Sequence, residues 1–127
     1  MRRPHRGFTL MELMVVMAII ASLLTLALPR YFHSVERSRE AVLKQDLTIM
    51  RDAIDKFMAD RGRYPLTLEE LAEKRYLRKV PPDPITESAT TWVTVPPPDS
   101  AVSREGVYDV RSGAPGNSLD GEPYESW

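Results

Sequence analysis

Apolar residues fall along this chain in three regimes. Residues 8–28 are 21 positions in which Glu12 is the only charge. As a helix of 1.5 Å rise this stretch is about 32 Å long, enough to cross a bilayer core. Residues 31–60 contain neither Pro nor Gly, and here the apolar positions become periodic. Leu43, Leu47, Met50, Ile54 and Phe57 recur at steps of four and three, one stripe of helical period. Such a stripe predicts a core-facing helix surface, with Lys44, Asp46, Arg51, Asp52, Asp55 and Lys56 between its members as the solvated face. Beyond Gly62 the apolar residues come only in short clusters broken by Pro and Gly.

The breaks locate the elements. Pro29 ends the apolar run, and a proline inside a helix removes one backbone bond and clashes with the preceding turn. A kink or local break is therefore expected near Thr25 to Pro29, within one long helix running from Phe8 to about Arg61. Gly62 suits a left-handed C-cap, with Pro65 just beyond. Thr67-Leu68-Glu69-Glu70 is a capping box that opens a short helix to about Lys74. Three prolines in residues 80–84 exclude helix and strand interior alike. Residues 92–95 and 107–110 are rich in β-formers and predict two short strands, paired antiparallel across 96–106. A Gly- and Pro-rich loop closes the chain from Gly113 to Trp127. The fold class is α+β: a long N-terminal helix, half transmembrane and half amphipathic, packed on a short helix and a small antiparallel sheet.

Composition narrows the chemistry. There is no cysteine, so disulfides, thiolate metal sites and a Cys nucleophile are all excluded. The only histidines are His5 and His33; neither has a second ligand or orienting carboxylate beside it in sequence, and no enzyme activity is expected. His33 reads as a polar residue at the membrane interface. Arg2, Arg3 and Arg6 precede the apolar run, which orients it with the N-terminus cytoplasmic and the C-terminal part outside. A secretory signal peptide fits poorly, because Leu26-Ala27-Leu28-Pro29 offers no small-x-small cleavage site. A plain signal-anchor leaves Glu12 unexplained, since a lone carboxylate in hydrocarbon costs several kcal/mol without a partner.

Gly7-Phe8-Thr9-Leu10-Met11-Glu12, behind a basic leader and ahead of an apolar helix, resembles the prepilin cleavage and methylation motif of type IV pilins and type II secretion pseudopilins. The resemblance implies that a prepilin peptidase cuts between Gly7 and Phe8 on the cytoplasmic side and methylates the new Phe8 amine. It divides the chain into a cleaved leader (1–7), a transmembrane or filament-core helix (8–29) and a periplasmic pilin-like globular domain (30–127). Cleavage places a positive amine four residues before Glu12. In a bundle of such helices, Glu12 can meet the amine of a neighbouring subunit, and two charges that are costly alone become tolerable as a pair. Glu12 is thereby an assembly device, and Pro29 a point where the helix loosens in assembled filaments.

Asp60-Arg61-Gly62-Arg63-Tyr64-Pro65, Asp83-Pro84, Tyr108-Asp109-Val110 and Trp127 are similar to the major pseudopilin of type II secretion. That resemblance implies a single-pass inner-membrane protein that assembles into a periplasmic pseudopilus driving protein export. The implied partners are copies of itself in a helical filament, minor pseudopilins, the prepilin peptidase and the inner-membrane assembly platform. The alternative is a minor pilin or pilin-like subunit of a type IV pilus or DNA-uptake machine. Lys74, Arg75, Arg78 and Lys79 with Tyr76 form a basic patch, but removing three leader arginines from 17 basic side chains leaves 14 against 18 acidic. Nucleic acid is therefore not an expected partner. The resemblance also implies calcium in the C-terminal loop, for which Asn117, Asp120 and Glu122 are the candidate ligands. The competing reading there is a polar surface loop that contains a few acids.

Overall fold

The structure, a computed structural model, describes residues 4–99 and 104–127. The leader residues Arg2 and Arg3, and positions 100–103 in the connection between the expected strands, lie outside the described residues. Two compact units divide at Val35 and Glu36.

Helix α1, Leu10–Arg61, contributes to both units. It starts two residues after Phe8 because Thr9 is its N-cap: the Thr9 carbonyl accepts from Leu13 N–H at 3.1 Å. The helical assignment continues through Pro29 without a break. Within the first unit every described residue up to Ser34 is exposed. The apolar run is long and apolar enough to cross a membrane, and none of it is buried in the monomer.

In the second unit the predicted stripe forms the core. Leu43, Met50, Ile54 and Phe57 have no accessible surface, and Leu47 has 1%. Gly62 ends α1 as expected, at φ 69°, with its N–H on the Met58 carbonyl at 2.9 Å. Helix α2, Leu68–Glu73, is capped by the Thr67 hydroxyl, which accepts from Glu70 N–H at 3.2 Å. The return bond of this box goes one residue further back than the usual pattern, from Leu66 N–H to Glu70 Oε2 at 2.8 Å. Leu68 and Leu71 of α2 close over the stripe.

Strands β1, Val93–Val95, and β2, Asp109–Arg111, pair antiparallel with Val93 opposite Arg111 and Val95 opposite Asp109. Both start later than expected, although Tyr108 N–H, just ahead of β2, still donates to the Val95 carbonyl at 2.9 Å. The Trp92 ring N–H donates to the Pro81 carbonyl at 2.7 Å, and Val107 N–H to that of Pro65 at 2.7 Å. Just ahead of β1 the Thr91 backbone runs close against Gly113, where a Cβ would overlap the Thr91 carbonyl oxygen. The loop itself contains a short 3₁₀ helix, Tyr124–Ser126, which the Gly/Pro content concealed.

Candidate functional site

The residues predicted to act at the N-terminus lie together in the first turn of α1. Thr9 Oγ1 accepts from Glu12 N–H at 3.1 Å, and Glu12 Oε2 accepts from Thr9 N–H at 3.3 Å. This is a second capping box, Thr9-x-x-Glu12, which the sequence shows as plainly as the one at Thr67. Glu12 is thus not idle in the monomer. Its carboxylate satisfies an orphan backbone donor and lies at the positive end of the helix dipole. Both partners are on the Phe8 side of the Gly7–Phe8 bond, so the box is compatible with cleavage there. Phe8 itself is 87% exposed. A side chain at Gly7 would meet nothing within 4 Å, so packing inside the chain does not require glycine at that position.

Past the apolar run, Thr25 Oγ1 bonds the Ala21 carbonyl at 2.8 Å, one turn before Pro29. Pro29 supplies no N–H to the Thr25 carbonyl, leaving one rung of the helix unmade. Tyr31 and Phe32, edge to face at 5.9 Å, are exposed beside Arg30, as suits residues at a membrane surface.

The face of α1 read as solvated is only partly so. Arg51 is half-buried and grips the C-terminal half of the domain. Its Nε donates to Asp109 Oδ1 at 2.8 Å, and its Nη2 to the carbonyls of Val110 at 3.0 Å and Trp127 at 2.7 Å. Lys44 Nζ sits 4.6 Å from the Trp127 ring centroid, a cation–π contact. Glu40 Oε1 accepts from Leu119 N–H at 2.7 Å and from the Tyr124 hydroxyl at 3.0 Å. Burial, then this Glu40 bond, push the Tyr124 phenol up to about 12. Periodicity marks these positions as polar; nothing in it says that the polar heads have distant partners.

A second polar knot was also missed. The Asp83 carboxylate is fully buried, accepting from Ser112 Oγ at 2.5 Å and from Ile85 N–H at 2.8 Å. Ser112 Oγ in turn accepts from Ala114 N–H at 3.1 Å. Asp83 is thereby the pin between the proline loop and the segment after β2. Burial, with the nearby Asp83 charge second, raises the Asp46 carboxyl above its ordinary range. Glu70 shifts the other way: the Arg63 guanidinium at 2.6 Å, then Leu66 N–H, hold its carboxyl low.

The candidate calcium ligands are not brought together as a cage. Asn117, Asp120 and Glu122 are all exposed, and among the described residues no three His, Cys, Asp or Glu side chains gather as a metal-holding group. The turn is organised by its own bonds. Ser118 N–H donates to the Glu122 carbonyl at 2.7 Å, Gly121 N–H to the Ser118 carbonyl at 2.9 Å, and Glu122 N–H to Ser118 Oγ at 3.2 Å. A calcium ion takes six to eight oxygens, and this donor set does not fit one. In the basic patch, Lys74, Arg75, Arg78 and Lys79 are exposed, but Tyr76 is committed inward. Its ring packs 5.2 Å from Phe57 and its hydroxyl donates to Asp60 Oδ2 at 2.8 Å. The aromatic of the patch is thus half-buried and packed on the core, a poor arrangement for stacking a base.

The family described as the prokaryotic N-terminal methylation motif matches residues 2–28. The type II secretion system core protein G of Escherichia coli strain K12 is 29% identical, over 93% of this chain and 87% of that protein. The protein of the same name from Pseudomonas aeruginosa is 33% identical over 65% of this chain and 70% of its own length. The type IV major pilin protein PilA of Myxococcus xanthus is 38% identical, but over 47% of this chain and 27% of the pilin. No solved structure matches the chain significantly.

Proposed function

The chain belongs to the family of type II secretion system core protein G, and from that premise we propose that it is a structural subunit of a periplasmic pseudopilus that drives protein export. The observation that carries this reading is the first turn of α1. A Gly-Phe junction is followed by a capping box whose glutamate is the only charge in residues 8–28, and among the described residues it has no ion-pair partner there.

In the inner membrane the apolar surface of α1 is covered by lipid, with the N-terminus cytoplasmic and residues 30–127 periplasmic. Moving such a helix from lipid into a bundle of like helices gains little hydrophobic energy, because lipid is as apolar as the bundle. Direction must come from polar contacts. Cutting at Gly7 by the prepilin peptidase leaves a charged Phe8 amine, which is then methylated and retains its charge. When a neighbour's amine reaches Glu12, two charges that were costly in hydrocarbon neutralise each other at low dielectric. The pair fixes the axial step between subunits. Head-to-tail repetition of one contact that does not close yields a helical filament. Minor pseudopilins and the inner-membrane assembly platform complete the machine. This subunit needs no catalytic group, and its role is structural.

The test is complementation. Cells lacking the gene should retain the exported proteins in the periplasm, and overproduction of the wild-type chain should give pseudopili that can be sheared off and imaged. Glu12→Leu should insert in the membrane normally and yield neither filaments nor export. Wild-type filament levels from that variant would refute the pairing account.

A further inference from the structure

The turn around Asp120 is tied to α1 by side chains, and a row of them is arranged for that purpose. Glu40, Lys44 and Arg51 fall within about 40° of one another around the helix axis, beside the apolar stripe. All three reach the C-terminal segment. We propose that Glu40 fastens residues 113–127 to α1 in the place a bound cation would otherwise hold, so that the fold of this segment is independent of calcium.

The chemistry of the donors and acceptors supports this. One carboxylate oxygen of Glu40 takes two donors from the loop, the Leu119 amide at 2.7 Å and the Tyr124 hydroxyl at 3.0 Å. Bonds to an ionised acceptor are roughly twice as strong as neutral ones. They bridge 79 and 84 residues of sequence, and so hold the segment to an element formed far earlier in the chain. A cation would perform the same bridging by collecting oxygens. Here three of the loop carbonyls, those of Gly116, Ser118 and Glu122, each already accept one bond, from Tyr124, Gly121 and Ser118. Asp120 and Glu122 stand exposed, without a third carboxylate among the described residues to complete a set. Beyond the turn, Tyr124 packs edge to face on Trp127 at 5.3 Å, and Arg51 and Lys44 hold that tryptophan by its carbonyl and its ring. The result is a continuous attachment made from the loop's donors and the helix's charges.

The experiment uses the full-length protein in detergent, and its readouts need no filament, so it can fail or succeed apart from the assembly reading. Thermal midpoint and amide exchange over residues 117–124 are measured in millimolar calcium and again in chelator. Wild type should give the same values in both. Glu40→Ala should speed exchange at Leu119 by roughly tenfold or more, with or without calcium. Glu40→Gln, which keeps an acceptor oxygen, should retain most of the protection. Tyr124→Phe removes one hydroxyl without opening the core and should speed exchange in the same direction by a smaller factor; it carries the test if Glu40→Ala does not fold. A midpoint raised by calcium, or loop exchange slowed by it, would overturn the proposal. So would unchanged loop exchange in both Glu40→Ala and Tyr124→Phe.

Discussion

Glu70 and Asp46 are two carboxylates that respond to pH in opposite senses, and the difference lies in their immediate partners. Glu70 accepts from Arg63 and Leu66 N–H, so its folded pKa is depressed below the ordinary 4.5. Its contribution to stability is present above that value and is lost as pH falls through the folded pKa. Glu70→Gln should therefore lower stability at neutral pH by roughly 1–3 kcal/mol, the worth of bonds to a charged acceptor. The deficit should shrink in acid, where wild-type Glu70 is itself protonated. Asp46 is raised above 3.8 by burial and by Asp83. Its ionised form is the disfavoured one, so Asp46→Asn should raise the melting temperature at pH 7. That gain should vanish as pH falls through the raised folded pKa toward 3.8. Melting each variant between pH 3 and 7 checks both signs together (a buffer series of about those limits spans both carboxylates). Gain and loss appearing in the same direction would contradict the partner assignments.

At the scale of elements, α1 carries the domain on one face, and the stripe that predicts it is also what holds it. Leu47→Ala removes a side chain that is 1% exposed and should cost about 2–5 kcal/mol. Val42→Ala, on a position 47% exposed, should change stability by no more than about 0.5 kcal/mol. Chemical denaturation of the two variants measures the contrast, and equal effects would mean the stripe is not the core face. The helices were legible because period, caps and breakers coincide: Thr67 opens α2, Gly62 closes α1, and Leu43 to Phe57 recur on one side. The strands were legible in kind but shifted in position: Val107 N–H bonds the Pro65 carbonyl and not β1, and β-propensity cannot register that. Glu40, Arg51, Asp83 and Ser112 were not legible as a framework. Their partners lie 29 to 84 residues away, and local pattern contains no information about such pairs. The capping box at Thr9 could have been read, because it repeats the Thr67 pattern letter for letter in its first and last residue types.

At the scale of the whole molecule, the chain joins a folded domain with a core of its own to an apolar run whose residues are all exposed. On the proposed reading such a helix is covered first by lipid and then by other copies, and lipid is apolar enough that burial alone gives little preference between the two. In this account the switch is the new amine at Phe8, and every later step depends on it. Gly7 has open space around it, so packing does not require glycine there, and in this account the requirement comes from the peptidase. Gly7→Val should accordingly fold, insert and accumulate as uncut precursor in membranes. The most direct test of the account is the intact mass of the wild-type protein purified from membranes of cells with an active prepilin peptidase. The account predicts a chain that has lost residues 1–7 and gained one methyl, with Gly7→Val at full precursor mass. A wild-type chain left uncut, or one beginning after Ala27, would contradict it.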